Sequence, residues 1–278
     1  MGNGPSQEEI EKVGYRVLGV QPNSPCSNLG LVSFFDFIIV ANNIPLKSLD
    51  TTFIDIIKSF ENQPLPLIVY NTKCKQTRSV VVTPNRNWSG EGMLGVTIRF
   101  DTYHNAEEHM CHVLEVEINS PAELAGLQPY KDYLLGTAEH VFKDADVLFE
   151  ALKLNLEQPM EFYVYNSDTD EVRVVVLMPS AQWGGEGILG ASIGHGYLHH
   201  IPSANCTTIG RSQEGVYRAV NSPFGMNGET DTTGVSTYNA GNDRERELDE
   251  YYKIANREAA LESGGTSLPP LPPSSPTY

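Results

Sequence analysis

The alternation of apolar and polar residues along this chain predicts mostly short β-strands, with one amphipathic helix in each half. Tyr15 to Val20 alternates, and Phe35 to Val40 is apolar enough for a buried strand. Leu49, Phe53, Ile56, Ile57 and Phe60 fall at helical spacing and precede Pro64, which stops that helix. Leu67 to Tyr70 and Arg78 to Thr83 then read as a hairpin about Asn71-Thr72-Lys73, and Val96 to Phe100 alternates again. Between the first two strands, Asn23-Ser24-Pro25 is turn chemistry, and Asn23 or Ser24 is placed to cap a helical turn ending at Gly30.

The same succession returns 95 or 96 residues later. Trp88-Ser89-Gly90-Glu91-Gly92-Met93-Leu94-Gly95 recurs as Trp183-Gly184-Gly185-Glu186-Gly187-Ile188-Leu189-Gly190. Gln63-Pro64 recurs as Gln158-Pro159, Val69-Tyr70-Asn71 as Val164-Tyr165-Asn166, and Asn23-Ser24-Pro25 as Asn119-Ser120-Pro121. Gly30-Leu31 before Phe35-Asp36-Phe37 matches Gly126-Leu127 before Lys131-Asp132-Tyr133. In the second half Leu148, Leu152 and Leu156 make the helix stripe, and Phe162 to Tyr165 with Val172 to Leu177 make the hairpin. Ordered matches of this kind identify residues 13–103 and 109–202 as two copies of one β-rich α+β domain, and two copies are too few for a solenoid. From Ser203 the strand pattern gives way to Gly, Asn, Thr and Ser, ending in Pro269-Pro270-Leu271-Pro272-Pro273, so residues 203–278 read as a disordered tail. Within it the charged island 243–261 reads as a solvated segment.

A length of 278 residues suits two domains, and 24 glycines with 18 prolines suit many short elements joined by turns. The formal charge of -16 argues against nucleic acid as a partner, because a phosphate backbone would be repelled over most of the surface. Cys26, Cys74, Cys111 and Cys206 form no CxxC pair and follow no secretory signal, which argues against disulfides. No stretch approaches the ~20 apolar residues of a membrane-spanning helix. Met1-Gly2-Asn3-Gly4-Pro5-Ser6, however, fits the pattern for N-myristoylation, which makes residues 1–12 a lipidation segment and Gly2 its acceptor.

Both Trp octets contain GxGxxG, yet a strand follows the first of them where a dinucleotide site needs a helix N-terminus, so no nucleotide cofactor is expected. A glycine-rich bend entering a strand has another use. Successive N–H groups about Leu94 and Gly95 can receive a carboxylate, and the strand edge that follows can pair with an extended peptide. The competing reading is a tight β-turn, against which the recurrence of the entire octet favours binding. His104, His109, Cys111 and His112 crowd together without the spacing of a zinc site and read as a polar linker running into a strand. Neither GxSxG nor HExxH occurs, and no catalytic residue is assigned.

The paired octets, the Asn-Ser-Pro turns followed by Gly-Leu, and Ile193-Gly194-His195-Gly196-Tyr197-Leu198-His199-His200-Ile201-Pro202 together resemble the Golgi reassembly and stacking protein (GRASP) family over residues 1–202. The resemblance implies two tandem, circularly permuted PDZ-like domains, in which the Leu-Gly bend and its strand close each domain. It implies a first groove between Leu94, Gly95, Val96 and Ile98 and a helix carrying Ile56 and Ile57. The second groove would be formed by Leu189, Gly190, Ala191 and Ile193 with Leu148. It further implies Ile193, Tyr197 and Leu198 as an internal ligand for a neighbouring molecule's groove, C-termini of golgin-type coiled-coil proteins as partners, and association in trans on the cytoplasmic face of Golgi membranes. One myristoyl chain gives only marginal membrane binding, with K of about 10⁴ M⁻¹, so a protein partner is the expected second anchor. Some family members carry a His and a Cys where this chain has Arg16 and Asp101, so metal-assisted partner binding is not expected. Ser275-Pro276 is a candidate regulatory phosphosite. The alternative readings are a soluble peptide-binding adaptor in secretory trafficking and an accessory module of a PDZ-bearing protease.

Overall fold

The computed structural model describes residues 12–217, so the expectations on Gly2, the 243–261 island and Ser275-Pro276 lie outside the described residues. The first copy runs β1 (Val13–Val20), β2 (Asp36–Ala41), β3 (Ile44–Pro45), α1 (Thr52–Ser59), β4 (Leu65–Asn71), β5 (Gln76–Val82) and β6 (Val96–Thr102). The second runs β7 (Cys111–Val116), α2 (Pro121–Leu124), β8 (Asp132–Gly136), α3 (Ala145–Leu154), β9 (Met160–Asn166), β10 (Glu171–Leu177) and β11 (Ala191–Gly194), followed by β12 (Arg211–Tyr217). Each copy forms its own sheet, ordered β5-β4-β2-β1-β6, with β3 beside β2, and β11-β7-β8-β9-β10-β12. The last strand of each copy pairs antiparallel with its first, β6 with β1 and β11 with β7, which leaves β6 and β11 as edge strands.

The helices are shorter than their apolar stripes. Asp50 accepts the Thr52 N–H at 2.8 Å, so α1 starts three residues after Leu49, which is exposed. Leu156 likewise falls beyond the end of α3. The expected cap on the first turn is not made by a side chain. There Asn23 takes a left-handed φ of 58°, and the Ser24 carbonyl, not its hydroxyl, receives Ser27. In the second copy the expectation describes the geometry well, since Ser120 Oγ accepts the Glu123 N–H at 3.1 Å with Pro121 at the first helical position.

A buried carboxylate organises each copy. Asp132 Oδ2 accepts from the Gln128 N–H at 2.8 Å and from Arg173 at 2.6 Å, while its Oδ1 accepts from Arg173 at 2.9 Å and from Asn166 at 2.7 Å. Arg173 Nη2, which meets Asp132 Oδ2, also donates to the Gly126 carbonyl at 3.2 Å. Asp36, Arg78, Asn71, the Val32 N–H and the Gly30 carbonyl repeat the arrangement in the first copy. The loop before the second strand of each copy is thereby pinned to its hairpin.

The copies meet at an apolar junction in which Phe34 lies against Tyr163 at 5.0 Å and Phe35 meets Tyr165 edge-on at 5.2 Å. In the linker, Ala106 and Met110 are buried, so this segment is more than a polar connection. Cys111 lies in the second core, where burial pushes its thiol up to about 12, and among the described residues no three His, Cys, Asp or Glu side chains gather as a metal site. His112 stacks on Tyr133 with ring centres 4.3 Å apart.

The tail expectation needs correction at its start. Residues 203–207 form a 3-10 turn, and β12 pairs in parallel with β10. A polar segment held by backbone pairing and side-chain hydrogen bonds carries no apolar alternation, which is why its composition reads as disorder.

Asp132→Asn removes the buried carboxylate charge that Arg173 meets through two nitrogens and should cost about 3–5 kcal/mol in urea unfolding. Asp36→Asn should cost less, because Arg78 is more exposed than Arg173; equal small losses would contradict the assignment. Burial, helped by the nearby His199, holds His112 below the ordinary histidine value. The unfolded chain therefore takes up the proton first, and stability is lost as pH falls below about 6.5. His112→Phe keeps the stack and should lose less Tm than the unsubstituted protein between pH 7.5 and 5; identical losses would refute this.

Candidate functional site

The two glycine-rich bends are built alike, around their own tryptophans. Trp88 Nε1 donates to the Gly92 carbonyl at 2.9 Å, and Trp183 Nε1 donates to the Gly187 carbonyl at 3.0 Å. The indole closes over the bend so tightly that a methyl on Gly90 would sit 2.3 Å from Trp88, and one on Gly185 2.0 Å from Trp183. Gly95 and Gly190 both have φ of 67°, and their Cα atoms lie against Ser24 and Ser120, where a side chain would collide at 2.1 and 2.2 Å. These glycines are required by the bend itself. Recurrence of the octet therefore reports a shared architecture, whether or not the bend binds a ligand.

What the bend leaves open is its row of amides. The carbonyls of Leu94 and Gly95 accept from Cys26 at 3.1 Å and Gln21 at 2.8 Å, and those of Leu189 and Gly190 accept from Ala122 at 3.0 Å and Glu117 at 2.9 Å. The N–H groups of these four residues have no acceptor among the described residues. They stand at the entrance to β6 and β11, the edge strands.

The apolar residues expected beside them assemble at the margin of each core. Leu94 and Ile56 are buried in the first core, with Ile57, Val96 and Ile98 half-buried against it. Leu189 and Leu148 are buried in the second, with Ala191 and Ile193 packed on its rim. A separate hollow of about 410 Å³ lies between α3, the 137–140 loop and the start of β9, and none of the expected second-groove residues lines it.

The three residues of the implied internal ligand are separated. Ile193 is paired with Val113 inside its own sheet, whereas Tyr197 and Leu198 project from a 3-10 turn with 84% and 88% of their surface exposed. At the other position of interest, Arg16 Nε lies 3.3 Å from Asp101 Oδ2, with its guanidinium 4.6 Å over the Phe37 ring. Burial lowers Arg16 to about 10, with Asp101 acting in the opposite sense. A cation and its counter-ion occupy these two positions.

Sequence reasoning missed the two buried Asp–Arg–Asn clusters. Their signal was present, because Asp36 interrupts an apolar run and Asp132 does so again at the repeat distance. It also missed Lys73, read as a turn residue, whose side chain is fully buried.

Comparison with known proteins agrees with this construction. The GRASP55/65 PDZ-like domain profile matches residues 5–98 and again 86–204. Golgi reassembly-stacking protein 1 of Mus musculus is 41% identical over 204 residues, covering 73% of this chain and 46% of that protein. The Homo sapiens protein of the same name is 40% identical over 205 residues, with the same coverage. GRASP65 homolog protein 1 of Saccharomyces cerevisiae is 31% identical over 107 residues, 37% of this chain and 28% of that protein. The chain thus spans about half the length of the mammalian relatives it matches. Two sheets of one design, each closed by a tryptophan-stapled bend and both matched by one domain profile, make this chain a member of the GRASP family, with two tandem circularly permuted PDZ-like domains.

Proposed function

We propose that the chain is a non-enzymatic tethering scaffold at the Golgi, which captures partner C-termini at its glycine bends and self-associates across facing membranes. The observation that carries this reading is the pair of unsatisfied amides at each bend, set at the head of an open strand edge. An extended chain terminus supplies what both features lack, namely a carboxylate for the amides and a backbone for the edge. Half-buried Val96, Ile98 and Ile57 in the first copy, and Ala191 and Ile193 in the second, offer apolar contact to the ligand's last side chains. The name borne by the mammalian relatives supports a role in Golgi stacking. Gly2 is the proposed lipid acceptor, and golgin-type coiled-coil proteins are the proposed partners. Exposed Tyr197 and Leu198 are the proposed contact for a second copy, with Ile193 retained in its own sheet.

The carboxylate requirement is tested without altering the protein. In titration calorimetry, a peptide ending in an aliphatic residue with a free carboxylate should bind at least tenfold more tightly than its C-terminally amidated form; equal affinities would remove the bends from the mechanism. In cells, Gly2→Ala should release the protein from Golgi membranes, and full retention would rule out myristoylation as the anchor.

A further inference from the structure

We propose that residues 205–213 form a clasp that holds the two PDZ-like domains in one fixed orientation, a feature that stands independently of what the grooves bind. This segment follows the end of the domain match at residue 204. It nevertheless touches both domains. From the first, Lys73 Nζ donates to the Asn205 carbonyl at 2.9 Å and to Thr208 Oγ1 at 3.2 Å, the Asn71 amide reaches the Ile209 carbonyl at 3.4 Å, and the Ser33 N–H donates to Ser212 Oγ at 2.9 Å. On the second, Asn205 Nδ2 donates to the Ser167 carbonyl at 2.5 Å, and Gln213 Nε2 donates to Glu171 at 2.7 Å, beside the Arg211–Glu171 ion pair. At the centre, Asp170 receives the Lys73 ammonium, the Thr208 hydroxyl and the Tyr165 hydroxyl at once.

The repeat serves as an internal control. Asn71 and Asn166 occupy the same place in the two copies, each bonded to its buried aspartate. Counting onward from them, Lys73 corresponds to Asp168, Lys75 to Asp170 and Gln76 to Glu171. The domain fold therefore does not dictate Lys73, Asp170 or Glu171, since each copy is built with a different residue there. What distinguishes these three is contact with the clasp or with the other domain. Asp168, the counterpart of the fully buried Lys73, is exposed. The strands agree: β10 carries Val172 and Val174 where β5 carries Thr77 and Ser79, and among the described residues β10 alone of the two has a further strand along its outer side. A buried lysine is tolerated only when its charge is fully compensated. The clasp supplies two of its three acceptors, and Asp170 supplies the third.

Hydrogen–deuterium exchange on the full chain tests this. Lys73→Met should raise amide exchange at least tenfold in residues 205–213 and also in the junction around Phe34, Phe35 and Tyr165, while the rest of β4 and β9 stays protected. Arg211→Glu, on the outer face, should accelerate exchange in the clasp more modestly, and Arg211→Glu with Glu171→Arg should restore it. Should Lys73→Met unfold the protein outright, the Arg211 pair decides. Unchanged exchange in residues 205–213 would overturn the proposal, as would failure of the reversed pair to restore protection. Faster exchange in 205–213 with an undisturbed junction would also overturn it, by making the segment a passenger.

Discussion

A carboxylate that accepts four hydrogen bonds where water does not reach is the constraint from which each domain's shape follows. Asp132 cannot be buried unless Arg173, Asn166 and the Gln128 amide all arrive together, and those groups come from separate parts of the chain. Satisfying it fixes the loop before β8, the hairpin turn and the face of β10 in one act. Because Arg173 also takes the Gly126 carbonyl, the end of the helical turn is drawn into the same cluster. Asp36 imposes the identical set of requirements on the first copy. Hydrophobic burial makes each sheet compact, and the ionic cluster specifies which loop lies over which strand.

The glycine bends follow a similar logic of mutual requirement. Each indole needs a carbonyl for its N–H, and each finds one four residues on, at a glycine with positive φ. Closing that ring brings the indole onto two further glycines, where no side chain fits. The carbonyls of the bend then turn inward to residues flanking the Asn-Ser-Pro segment, while the Leu and Gly amides of the bend have no acceptor among the described residues. Amides left over by an internal staple are a by-product of that geometry. On the proposed reading this by-product is the binding site.

Much of this was legible in the chain itself, for physical reasons. A period of two over Val96 to Phe100 marks a strand with one face on the core, and the observed β6 extends it to Thr102. A repeat of 95 residues fixes domain number regardless of how well any element is read. Other features were not legible because their cause is tertiary. Leu49 fits the helical stripe, but Asp50 draws the Thr52 N–H into a local turn and the helix starts after it. Ser24 looks like Ser120 in sequence, yet only Ser120 has a proline-led helical turn to cap. Lys73 lies in a turn, where lysine ordinarily meets water, and only the presence of a second domain and the clasp explains its burial. The clasp is polar, and polar segments announce neither strand nor contact.

The two sheets also differ in what they leave at their borders. An unpaired strand edge invites addition of another chain, so each must be covered, blunted or used. In the second sheet β12 lies along β10, so the outer border there belongs to a segment of the chain that is itself tied to the first domain. In the first sheet β5 has no such cover among the described residues, but beside exposed Val81 it sets exposed Gln76, Thr77 and Ser79 on its surface, and polar side chains weaken the apolar contact that strand addition needs. The opposite borders, β6 and β11, are treated otherwise. Each follows a bend whose Leu and Gly amides have no acceptor among the described residues, and each carries half-buried aliphatic side chains against its own core. On the proposed reading, this difference between the borders directs an incoming strand to the bend. On the proposed readings, the clasp keeps these two borders at a fixed separation. That arrangement raises the effective concentration for a second contact once the first has formed.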